Sequence, residues 1–85
     1  MSELDEMFSE MRFNVEGVLR ELAQEFPDIP TCESQSHRAM RALDELAKVK
    51  MTRARFRQID QLKDFLAVHR AVTLLEQRER NRITT

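Results

Sequence analysis

Leu4–Pro30 reads LDEMFSEMRFNVEGVLRELAQEFPDIP and holds both the clearest helix of the chain and its clearest stop. Leu4, Phe8, Met11, Val15, Val18 and Leu22 recur at spacings of four and three, a heptad stripe along one face of an α-helix. Met7, Leu19 and Phe26 widen the stripe on its flanks. Ser2 is a good N-cap, and Asp5 three residues on resembles a capping box. Glu3, Asp5 and Glu6 put negative charge in the first turn, where the helix dipole favours it. Pro27 disfavours helical geometry in the residue before it. The helix is therefore expected over about 3–26, roughly 35 Å long at 1.5 Å per residue. Pro27-Asp28-Ile29-Pro30 is the strongest turn signal and places a turn at 27–31.

Beyond that turn there is neither glycine nor proline. Thr31, Ser34 and Ser36 are candidate N-caps for the next helix. Met40, Leu43, Ala47, Met51, Ala54, Leu62, Phe65, Val68, Val72 and Leu75 share one face if a single helix runs over 32–80, leaving 81–85 as a short basic tail. Gln58 and Gln61 interrupt the stripe, and Ile59, Leu62 and Leu66 shift it sideways, as a stutter does. A second reading breaks the region near 50–52. Thr52 then caps a new helix, Met51 staples onto Phe56, and Lys48 and Lys50 close the helix before it. The near-zero connection in that reading is shorter than the roughly two to eight residues usual in bundles, which favours a bent or continuous helix. The expected fold is all-α and a single domain over 1–85: an antiparallel helical hairpin, or a three-helix bundle, with a long, coiled-coil-like second helix.

Composition agrees. Of 85 residues, one is glycine, two are proline and 34% are charged, which favours helix over sheet. An apolar fraction of 41% argues against disorder. A chain this short buries only about 60–65% of its unfolded surface, so a partner subunit would add useful stability. No apolar run approaches the ~18 residues of a membrane span. The acidic start has the wrong sign for a secretory or transit peptide, and the expected location is the cytoplasm. Cys32 is the only cysteine, which leaves no internal disulfide and no thiolate zinc cage.

Charge is unevenly spread. Residues 1–33 carry nine acids and two bases, whereas residues 34–85 carry six acids and twelve bases. Internal pairing accounts for this if Glu21 and Glu25 on one flank of the first helix, and Asp5 and Glu16 on the other, face Lys48, Lys50, Arg55 and Arg57. Each exposed pair contributes only about 0.2–1 kcal/mol, so such pairs choose register while the apolar stripes hold the fold.

No grouping of residues calls for catalysis. His37 and His69 are distant in sequence and sit in no ligand motif, and Asp60 and Asp64, one turn apart, lie among Arg57, Gln61 and Lys63 as a solvated face. A single glycine provides no phosphate loop, and the Glu-x-x-His of helical metal sites is missing. No catalytic residue, cofactor, metal or small-molecule substrate is expected.

A helix of ~45 residues would outrun the first helix and leave Ile59, Leu62, Phe65, Leu66, Val72 and Leu75 bare, more apolar surface than a monomer tolerates. The expected function is therefore a protein–protein interaction module: an adaptor, co-chaperone or inhibitor, forming a homo-oligomer, most simply a two-fold dimer, and binding another protein. Phe13 and Gly17, one turn apart opposite the first stripe, form a second candidate patch. The alternative is a nucleic-acid-associated regulator using the basic segment 48–57, with Arg53, Arg55 and Arg57, together with Arg78, Arg80 and Arg82. Against it, the first cluster is spread around the helix, and Phe56 is the only aromatic interleaved for base stacking.

Overall fold

The computed structural model describes residues 3–84, with side chains over 3–82. It contains three helices, α1 (Glu3–Glu25), α2 (Gln35–Leu46) and α3 (Arg53–Thr84), and no strand among the described residues. Each helix packs on the other two. The expected cap Ser2 lies outside the described residues, as does Thr85 at the end of the expected tail.

The first helix ends where Pro27 requires, with Phe26 N–H closing the last turn onto Leu22 O at 2.8 Å. Ile29 in the following connection is buried. The chain then runs back along α1, so that the first turn of α2 lies beside the middle of α1: Gln35 bonds to both Arg12 and Glu16. Among the three candidate caps, Ser34 is used, its hydroxyl accepting from His37 N–H at 3.3 Å.

The region 32–80 is not one helix. α2 stops at Leu46, and residues 47–52 reverse the chain before α3. This is the broken reading, with a connection of ordinary length instead of almost none. Thr52 caps α3: its hydroxyl accepts from Arg55 N–H at 3.2 Å and its carbonyl from Phe56 N–H at 2.9 Å. Met51 and Phe56 are both more than half exposed, and Lys48 pairs with Glu45 of α2 at 3.5 Å rather than with α1. The reason for the break is burial. A continuous helix would leave Leu62 and Phe65 in water, whereas folding back makes both fully buried, each gaining about 1.5–3 kcal/mol. At its far end α3 continues through Thr84, so residues 81–84 of the expected tail are helical.

α1 and α3 are antiparallel. Glu25 and Phe26 at the end of α1 meet Arg55 at the start of α3, while Phe8 near the start of α1 stacks on Phe65, ring centroids 6.0 Å apart. The core consists of Val15, Leu19 and Leu22 from α1, Ile29 from the first connection, Ala39, Ala42 and Leu46 from α2, and Leu62 and Phe65 from α3. Facing two helices at once, α1 uses a broad face centred on Leu19, not the narrow seam its heptads suggest. α2 buries Ala39, Ala42 and Leu46, one position away from the expected Met40–Leu43–Ala47 line; Met40 and Ala47 are exposed. The two alanines allow α2 to approach closely. The molecule measures 49 × 23 × 18 Å, its long axis matching the ~48 Å expected for a helix of 32 residues.

Candidate protein-interaction surface

Most polar side chains near the core are engaged with one another. Arg38 donates twice to Glu16, both at 2.8 Å, and also to Glu33 O at 3.0 Å, while Gln35 donates to the same carboxylate at 3.1 Å. Held by the Arg38 guanidinium, the Glu16 carboxyl falls from its ordinary 4.5 to about 2, and Arg38 in turn is pushed up by Glu16. This cluster clamps α2 to α1 and lines a shallow hollow with Phe8, Arg12, Phe65 and His69. With Glu16 already saturated, the hollow holds a structural ion pair, not a poised acid or base.

His69 belongs to an aromatic cluster, its ring centroid 6.1 Å from Phe8 and 5.9 Å from Phe65. His37 and Cys32 are exposed. Among the described residues no group of three or more His, Cys, Asp or Glu could hold a metal ion, and no helix is long and apolar enough to cross a membrane.

The structure divides the expected interaction stripe in two. Leu62 and Phe65 are core, and Ile59 and Leu66 pack against it, so these four are covered by the chain itself and are not offered to a partner in this fold. Val72 is half-buried, and Leu75 remains 46% exposed. The reason is geometric: α1 and α2 both lie against the Ile59–Leu66 face, which a two-helix hairpin would have left partly bare. From Leu74 to Arg82 every residue of α3 is exposed, because α3 projects past the start of α1.

Phe13 and Gly17 do lie together on the outer face of α1. Phe13 is 82% exposed, and a methyl group added at Gly17 would meet no atom within 4 Å. Glu6, Glu10 and Glu21 share this outward side, also exposed. A further uncovered apolar surface, on α3, escapes a reading that allows one stripe per helix. Ala67, Ala71, Leu74 and Leu75 are exposed on the side of α3 away from the core. The signal is in the sequence: spacings of four and three recur there, displaced from the buried line.

The basic residues are not gathered. Arg55 binds Glu25 and lies over the Phe26 ring, its carbon 5.2 Å from the centroid. Arg53, Arg57 and Arg78 are exposed, but Asp60 and Asp64 lie between them on the same outward side of α3. Arg80 and Arg82 are exposed farther along, each with an interaction of its own. No family model, curated protein or solved structure matches the chain.

Proposed function

We propose that the chain is a cytoplasmic helical interaction module, an adaptor, co-chaperone or inhibitor, that works by laying uncovered helix faces on other protein surfaces. The observation that carries this reading is Phe13, 82% exposed on a helix face that also holds the only glycine of the chain. Neither residue helps the isolated chain. A mid-helix glycine costs about 1 kcal/mol relative to alanine, and an exposed phenylalanine forgoes about 1.5–3 kcal/mol of burial. Both become favourable when a partner covers them, since glycine admits close approach and a central aromatic surrounded by polar groups is the usual anchor of an interface. The flanking Glu6, Glu10 and Glu21 favour a partner with a basic rim.

The test is site-specific photo-crosslinking from position 13 in cells, compared with the same probe in a chain carrying Gly17→Leu. A defined polypeptide captured from position 13 and lost with the bulky neighbour supports the reading. Absence of any crosslinked polypeptide, with nucleic acid retained at low salt instead, contradicts it and favours the Arg53 and Arg57 side of α3.

A further inference from the structure

We infer that the outer face of α3 is a two-fold seam on which a second copy of this chain packs antiparallel, an inference that rests on the interaction-module reading. Asp64, Ala67, Ala71, Leu75 and Arg78 are all exposed on that face. Their spacing is symmetric about Ala71: Ala67 and Leu75 lie four residues to either side, Asp64 and Arg78 seven. Asp60 and Arg82 extend the pattern at eleven. At 100° per residue these positions stay within one narrow strip, because a 4-3-4 spacing averages 3.67 residues per turn.

A two-fold axis across the helix at Ala71 exchanges the two halves of the strip. Each Asp64 then faces the Arg78 of the other copy, and each Asp60 faces Arg82. Between 60 and 82 the acids of the strip lie on one side of the axis and its arginines on the other, so antiparallel pairing sets unlike charges together at both matched positions, while Arg53 and Arg57 lie farther out on the same face, beyond the last matched pair. Parallel pairing would set like against like. At the centre, Ala71 meets Ala71 and Leu75 lies over Ala67, large against small, which permits close interhelical approach. α1 and α2 occupy the opposite side of α3, so the chain itself does not obstruct the seam. The sign-and-spacing symmetry selects a second copy over an unrelated partner, because only a self-complementary strip needs it.

Molar mass by light scattering tests this, with refractive-index detection because the chain has no Trp or Tyr. The wild type is expected to approach twice the chain mass of 10.1 kDa as concentration rises. Asp64→Arg alone and Arg78→Asp alone each set like charges face to face twice per dimer and should weaken self-association by roughly tenfold or more. An equimolar mixture of the two variants restores both attractive pairs and should dimerise again, which also shows that each variant is folded. A wild-type mass of 10.1 kDa at all concentrations overturns the seam, as do variants that associate like the wild type or a mixture that fails to recover. If the seam fails while crosslinking from position 13 persists, the interaction-module reading survives without it.

Discussion

Glu16 is the side chain whose role is hardest to see in the sequence, where it reads as one more flanking charge. Its partner Arg38 lies 22 residues on, across a turn whose return path no local pattern specifies. Of the expected pairing between α1 acids and the 48–57 segment, the described ion pairs include Glu25 with Arg55. The clamp makes stability pH-dependent. The folded carboxyl titrates near 2 and the unfolded one near 4.5, so the contribution is complete above the higher value and lost as pH falls through the lower. Glu16→Gln should flatten stability across that acid window and, at neutral pH, cost about 1–3 kcal/mol by leaving Arg38 without its charged acceptor. Urea melts followed by circular dichroism at several pH values read both effects. A variant with the acid limb of the wild type would show that the clamp contributes nothing.

Among the elements, α1 is written plainly, with a long apolar stripe, acidic first turn and proline stop, and its observed end falls within one residue of the expected one. The break between α2 and α3 is not, because residues 47–52 contain none of the residues that usually mark a turn and the helix pattern runs on through them. Only the gain from covering Leu62 and Phe65 decides it, and that depends on where α1 lies. Thr52 then becomes a working cap, so Thr52→Ala should lower stability by about 1 kcal/mol with the fold unchanged. Gly17→Ala should raise it by about 0.5–1 kcal/mol, since the site is helical, exposed and free of any atom the new methyl would strike. Thermal melts of the two variants should move in opposite directions. A destabilised Gly17→Ala would mean that the outer face of α1 is already occupied.

For the molecule as a whole, all-helical architecture and the presence of uncovered apolar surface were readable from patterning. Which surface stays uncovered was not. α3 has apolar residues on two sides, and sequence periodicity cannot say which side the rest of the chain takes. The fold assigns the inner side, Ile59–Leu66, to its own core and leaves Ala67, Ala71, Leu74 and Leu75 outside. A charged residue at Phe65 would therefore unfold the chain instead of merely separating copies. Hydrogen exchange along α3 as a function of dilution tests this division. Amides over 59–66 are expected to stay protected at every concentration, while those from 71 onward gain protection only as copies associate. Protection over 59–66 that disappears on dilution would show that this stripe is buried between chains, contradicting the three-helix core.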